Sequence, residues 1–441
     1  PGATLTVDSR RTPALLLSSN PSAYATITSV QATLELFGTE DRPLAVRSLD
    51  LVQSPDAAAS THAESGASGQ PSAAAGSPTD SASPDTDLSD GRAYIRAAGS
   101  RMDFDHVTVS NLGFLLGESS GVAWMSRDGI PATGGARDST FTGNYFGAYS
   151  SGADGLIISR SQFTNNIVYG FDPHTGTTNT LVEYSVAARN GRHGFIFSSA
   201  CDHNEIRDSE SYLNVGAGFV VDDGADNQAI GPQPSDANTL LRVNAHDNGR
   251  SGIVIEGGAA NSVVAARVDD NPYGIWVKNA AEGTTISETK VTNSAGSAVR
   301  LDPTTRYSTL SDSTIAASTI GVDINSAQGT HLERVTIANS STAGIVVHSD
   351  LSGTTFDQVD ISGTGRDAIV HADENVEVSN LPGLQVDSWA RSTVTGDHWW
   401  DSLPFAKLLP WLLILGIPAL VWIPIRWRWR RQRPPLPGVD A

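Results

Sequence analysis

Cysteine is nearly absent from this chain: of 441 residues only Cys201 is one, so neither a disulfide framework nor a cysteine-based zinc site can hold the fold together. Lysine occurs only at Lys278, Lys290 and Lys407, and acidic residues outnumber basic ones 48 to 29, for a formal charge of −19. A nucleic-acid partner is excluded on that balance, because phosphate recognition needs a basic face and no such stripe appears in the body of the chain. Helical periodicity is missing too. Apolar residues come in short runs with period-two alternation, bounded by Asn, Gly, Ser and Asp, which is the signature of strands. No hydrophobic leader follows Pro1, and the expectation is that an export signal was removed or lies outside this numbering.

What the sequence has in plenty is glycine, 42 residues of it, placed at regular intervals. Segments such as TFTGNYFGAYSS, VAARNGRHGFIFS, SYLNVGAGFVVDD and RVDDNPYGIWVKN superimpose on one glycine each: Gly147, Gly170, Gly194, Gly218, Gly252, Gly274, Gly321 and Gly344, with Ala298 and Ala368 in the same slot. The step is 22 to 24 residues, apart from one of 34 that accommodates an insertion around residues 225–238. A fixed period of this size with strand-like units predicts one coil of a parallel β-solenoid per repeat. An asparagine precedes most of these positions by three to five residues: Asn144, Asn166, Asn190, Asn214, Asn248, Asn271, Asn293 and Asn339. Asn suits tight turns and can hydrogen-bond from coil to coil, so these residues read as a structural ladder.

The flanks divide the chain further. Residues 1–53 carry alternating apolar stretches and read as an N-terminal cap or first coils. Residues 54–90 consist almost wholly of small and polar residues, which predicts a disordered low-complexity insertion. The solenoid is assigned to 91–385 and a juxtamembrane linker to 386–407. Residues 408–425 are an uncharged apolar run long enough to cross a bilayer as a helix, despite Pro410, Pro418 and Pro424. Trp399, Trp400, Trp427 and Trp429 flank it as interfacial anchors, and Arg426, Arg428, Arg430, Arg431 and Arg433 open the basic tail, 426–441. The positive-inside rule places that tail in the cytoplasm and the solenoid outside a single-pass cell-membrane anchor.

The chemistry concentrates in Tyr169-Gly170-Phe171-Asp172-Pro173-His174, where a phenol, a carboxylate and an imidazole, all able to move protons, fall within six residues. Phe171, Pro173, Phe195, Phe197, Phe219 and Val221 are expected to fill the interior. Alternation then puts Asp172 and His174 on one exposed face, about 7 Å apart along the strand. Ser198, Asp222, Glu256 and Lys278 stack above His174 at about 4.8 Å per coil, a polar column suited to an extended polymer.

The hexapeptide YGFDPH, together with Gly152-Ala153-Asp154 before it and TNTLVEYSVAARNGRHGFIF after it, resembles the mannuronan (alginate) C5-epimerases, over about residues 152–223. The resemblance implies a right-handed parallel β-helix acting on a uronic-acid polysaccharide without cofactor or metal. It implies that a cation or donor neutralises the uronate carboxylate while a base takes the carbon-5 proton and an acid returns one to the opposite face. His174 matches the base and Tyr169 the proton donor, with Asp172 orienting the imidazole or contacting sugar. Arg137, Arg192, His193, Ser198, Asp222 and Lys278 are the candidate substrate-binding residues, with His193 alternatively capping its turn. Where the family usually carries a charge, this chain has Ser198-Ser199, and Thr175 follows the motif histidine. Three other readings stay open: a polysaccharide lyase using the same base, a hydrolase pairing Asp172 with Asp222, and a non-catalytic glycan-binding scaffold. On the topology above, protease added to intact cells is expected to remove the solenoid and leave a short tail fragment; protection of the solenoid would refute that orientation.

Overall fold

A computed structural model describes residues 2–20, 23–50, 91–114, 120–225, 231–325, 327–348, 353–365, 367–371, 383–386 and 391–394. Among the described residues three long sheets hold 13, 15 and 14 strands, and from Thr26–Val30 to Asp367–His371 their strands follow one another in rotation along the chain. One coil contributes Ile157–Ser159 to the first sheet, Gln162–Thr164 to the second and Phe171–His174 to the third, and the next coil repeats the order with Leu181–Glu183, Val186–Ala188 and Phe195–Ser198. All ladders are parallel except the short pairing of Ala23–Tyr24 with Ala14–Asn20. Segments between residues 4 and 50 form the first coils and lie in the same three sheets.

The strands are short because each coil must turn three corners, and the corners share one construction. A residue with left-handed backbone is followed by a small polar side chain buried beneath the turn. Arg160 (φ 46°) precedes Ser161, Asn165 (φ 55°) precedes Asn166, and Asn179 (φ 55°) precedes Thr180. At the second corner the backbone N–H of Asn166 donates to Oδ1 of Asn190 at 3.1 Å, and the Asn166 amide donates to the same oxygen at 2.9 Å. The pattern continues through Asn214, Asn248 and Asn271. A second asparagine run, Asn204, Asn238 and Asn261, lies at the third corner, and a serine run, Ser139, Ser161, Ser185 and Ser209, at the first.

Two of the expected ladder residues are not in it. Asn293 (φ 55°) and Asn339 (φ 56°) are the exposed left-handed residues of their corners, and the buried ladder positions beside them are Ser294 and Ser340. Asn was read correctly as a corner residue, but it serves two different positions one residue apart, and spacing alone does not separate them.

The interior is a column of aromatic and aliphatic side chains. Phe171, Phe195 and Phe219 are at most 1% exposed; Phe195 stacks on Phe219 with ring centroids 5.4 Å apart, and Phe163 on Phe171 at the same distance. Burial of this size stabilises by roughly 25 cal/mol per Å² of apolar surface, repeated coil after coil. The low-complexity stretch 54–90, most of the linker 386–407, the apolar run 408–425 and the basic tail 426–441 lie outside the described residues. Among the described residues no helix is long and apolar enough to cross a membrane.

Asn190→Ala is expected to lower unfolding stability by about 3 kcal/mol or more, because several buried donors and acceptors lose partners at about 1–3 kcal/mol each. Asn293→Gly, at an exposed left-handed position, is expected to stay within about 0.5 kcal/mol of the parent. Denaturant titration of the two variants compares them directly.

Candidate active site

The outward face of the third sheet carries two adjacent columns of side chains. One runs Tyr149, Asp172, Ile196, Val220, Val254 and Trp276; the other runs Ser151, His174, Ser198 and Asp222, then Glu256 and Lys278. The first column was expected to be solvent-exposed. Instead Asp172 is 1% exposed and Ile196, Val220 and Val254 at most 7%, and together with Ala217 the three aliphatic residues pack into a small second core beneath Tyr169. A cleft of about 230 Å³ opens on this face. Tyr169, Asp172 and His174 do not line it; Arg192, His193 and Arg250 stand on one side of it and Asp222, Glu256 and Lys278 on the other. Asp223 and Ala225, which follow the Phe219–Asp222 strand, also line it.

Tyr169 sits at the mouth of the third sheet, just before the aligned glycine. Its ring is stacked between Phe146 (5.3 Å) and His193 (5.6 Å), and its hydroxyl oxygen accepts a hydrogen bond from Nη1 of Arg192 at 2.7 Å. The glycines make the stack possible. A Cβ on Gly170 would come within 2.4 Å of the Gly194 carbonyl oxygen, so the coils approach too closely there for any side chain.

Asp172 accepts from the Ser198 hydroxyl at 3.2 Å, which makes Ser198, 6% exposed, a support for the carboxyl rather than part of an open groove wall. Burial pushes the Asp172 carboxyl well above the ordinary aspartate range, and the nearby Asp222 charge adds to that, against the opposing pull of Ser198 and Arg192. Of the two roles expected for Asp172, orienting the imidazole is not seen: Nδ1 of His174 pairs with the Thr175 hydroxyl, and the ring lies against Tyr149 with centroids 5.7 Å apart. Burial lowers the His174 pKa, so the imidazole is neutral at neutral pH and has a lone pair to offer.

His193 is held still more firmly neutral. Its pKa falls to about 3 through burial and the surrounding Arg192, Arg250 and Lys278 charges, while its Nδ1 accepts the Ala217 N–H at 2.9 Å. It therefore caps the next turn and also lines the cleft. Lys278 pairs with Glu256 at 2.7 Å at the cleft's far end.

Arg137 is the sequence candidate that does not belong. It ends the first-sheet strand Thr133–Arg137, on a different wall of the solenoid, and its guanidinium pairs with Asp105. Coil register brings residues close only within one sheet, and Arg137 is in the wrong one. Near it Asp105, His106 and Asp138 offer ligand atoms within 4.8 Å of one another, but Arg137 and Arg160 already neutralise the two carboxylates. The structure also adds residues the motif does not announce, Arg250 on the basic rim and the apolar floor Ile196, Val220 and Val254; their period-matched apolarity was visible but had been assigned to no role.

Two family models match the chain: one described as right handed beta helix region over residues 97–233, and one described as periplasmic copper-binding protein (NosD) over residues 233–379. The chain is a right-handed parallel β-helix protein. Within that class it resembles the mannuronan C5-epimerases: it is 28% identical over 134 residues to that of Pseudomonas syringae pv. tomato, covering 28% of this chain and 25% of the relative, and 32% identical over 78 residues to that of Pseudomonas aeruginosa, covering 18% and 14%. The chain thus spans a quarter or less of these relatives in the matched stretches. Among solved structures, a variant of the periplasmic alginate epimerase AlgG matches with a TM-score of 0.49 and 14% identity over 88% of this chain and 74% of that one. The Azotobacter vinelandii mannuronan C-5 epimerase AlgE4 A-module matches at 0.47 and 19%, over 70% and 87%.

The Asp172 shift carries a sign. A carboxyl whose folded pKa is raised favours the folded state below the ordinary aspartate pKa near 4, and that advantage is lost as pH climbs toward the folded value. Asp172→Asn is therefore expected to melt above the parent at pH 7 and to lose that difference near pH 3, in thermal melts across a pH series. Equal melting differences at both pH values would contradict the assignment.

Proposed function

We propose that this chain acts on a polysaccharide containing uronic acids, by proton transfer at carbon 5, with epimerisation as the outcome. The observation that carries the reading is a neutral His174 and the Tyr169–Arg192 pair on the outward face of the third sheet, with Arg192 reaching into the lining of the neighbouring cleft and Tyr169 packed on the apolar cluster beside it. Removing a proton beside a carboxylate requires that the carboxylate charge be offset first. Arg192 supplies a planar, permanently charged donor at the rim for that purpose.

In this reading His174 takes the carbon-5 proton with its neutral nitrogen, and Tyr169 returns one from the other face of the sugar. With its oxygen accepting from a cation, the phenol is well suited to giving up its proton. Asp172, buried and holding its proton well above the pH at which an exposed aspartate ionises, adds no negative charge beneath an anionic chain. Similarity to the mannuronan C5-epimerases supports the polysaccharide class. A membrane tether with the solenoid outside rests on the apolar run 408–425 and the arginines that follow it.

Ser198 favours a second reading. It stands where the resemblance leads one to expect a charge, and without that charge the same base could stop at elimination, or the cleft could bind without turnover. Incubation with uronate polymers in heavy water separates these outcomes: deuterium at carbon 5 reports an epimerase, ultraviolet absorbance of an unsaturated sugar a lyase, and binding alone a scaffold. His174→Ala is expected to lower turnover on the order of 10²–10⁴-fold with binding largely kept, the usual worth of a positioned acid or base. Unaltered turnover in that variant would remove His174 from the mechanism.

A further inference from the structure

Thr175 follows the motif histidine with its backbone in the left-handed region, at φ 35°. A β-branched side chain seldom adopts that conformation, because its Cβ crowds the following carbonyl oxygen. Other coils fill the same slot with residues that suffer less. Register places Gly152 there in the coil before and Ser199 in the coil after, with Gly257 and Asn279 further along, and all four are left-handed. The stack holds Thr175 from both sides: its carbonyl oxygen accepts the Gly152 N–H at 2.8 Å, and its own N–H donates to the Ser198 carbonyl oxygen at 2.9 Å. Backbone enforced in this way clusters at functional sites.

What the threonine adds at that point is a hydroxyl. Its Oγ1 meets Nδ1 of His174, while Nε2 of the same ring has no hydrogen-bond partner among the described residues. A neutral imidazole that gives its one proton to an acceptor at Nδ1 keeps its lone pair on Nε2. A hydroxyl accepts without carrying a charge, so it orients the ring without drawing a second proton onto it, as a carboxylate there would. Titratable groups stand around the ring in three coils: Tyr149 in the coil before, Asp172 on its own strand, and Asp222 in its own column two coils on.

We infer that Thr175 is a positioning residue: its hydroxyl accepts the Nδ1–H of His174, holds the imidazole in that tautomer and leaves Nε2 open to take the carbon-5 proton. The inference rests on His174 as the proposed base and names what sets its tautomer. When Nε2 takes the proton the ring becomes a cation, and the bond from Nδ1–H to the hydroxyl becomes charge-assisted at the same moment. It is then worth more in the transition state than before it, which is what raises turnover.

Thr175→Gly removes the hydroxyl and relieves the backbone. It is expected to lower kcat about ten- to a hundredfold, the usual worth of a hydrogen bond to a charged group, with KM little changed and melting at or above the parent. Nitrogen-15 NMR of the histidine-labelled full chain, assigned with His174→Ala, reads the tautomer without substrate. The parent should show His174 protonated at Nδ1, Thr175→Gly a mixture, and Thr175→Ser recovery of both tautomer and turnover. Thr175→Asp, with a charged acceptor at Nδ1, is expected to move the acid limb of the kcat profile to higher pH. A parent ring protonated at Nε2, or a tautomer and turnover unaltered in Thr175→Gly, overturns the positioning role. If the parent turns over no uronate polymer, the proposed function falls, and the NMR comparison still decides whether Thr175 sets the His174 tautomer.

Discussion

The fold depends on one recurrent hydrogen bond: a buried polar side chain at a corner accepts the backbone N–H of the coil before it. A solenoid has to reverse its chain three times per coil, and each reversal takes backbone groups out of the sheet ladders. Buried and unpartnered, such groups would cost about as much as the packing between coils returns. Oδ1 of Asn190 accepts the backbone N–H of Asn166 and its side-chain amide at once, and Asn204 and Ser161 accept the backbone N–H of Thr180 and Ser139 at the other corners. Because the bond runs from coil to coil, it also sets the register of the stack, and with it every column of side chains on the outer faces.

Fixed columns turn a repeating sequence into a site. Residues 24 apart become neighbours, so the aromatic ring of one coil can stack on that of the next, as Tyr169 does on His193, and an acceptor in one coil can meet a hydroxyl in the following one, as Asp172 meets Ser198. The apolar stretch Ile196, Val220 and Val254 then excludes water from the floor, and the titration behaviour of Asp172 and His174 follows from that exclusion more than from any neighbouring charge. Neither residue needs an exotic partner to become reactive; each needs a dry place to stand.

The period of the glycines was enough to assign a parallel solenoid, because the close approach of coils such as Gly170 to Gly194 favours glycine, or in two coils alanine, at one fixed position and the spacing is written in one dimension. Inward phenylalanines were legible for the same reason. The outward face was harder to read, since alternation says which way a side chain leaves the strand but not whether neighbouring coils bury it; Asp172 was expected in solvent and lies under cover. Arg137 was misplaced because three sheets share one repeat and sequence distance does not say which sheet a residue is in. Left-handed corners at Arg160, Tyr184 and Leu213 carried no signal at all, as these residue types seldom adopt that backbone, and only the stack around them enforces it.

The second-corner ladder changes chemistry along its length. From Asn144 to Asn271 each rung is an amide, which makes two kinds of bond: its oxygen accepts from the coil before it, as Asn271 does from Asn248, and its nitrogen donates as well, as Asn271 does to the Ala245 carbonyl of that same coil. From Ser294 the rungs are hydroxyls, with Ser318 accepting the Ser294 N–H while the side chains of Ser294 and Ser340 donate to nothing. In a stack where each coil is stabilised only by its neighbours, halving the grip at successive rungs gives the molecule a polarity of cohesion. Such a rod unzips from its carboxyl-terminal end, and a pull applied there meets the weakest seams first while the coils that carry Tyr169 and His174 stay shut.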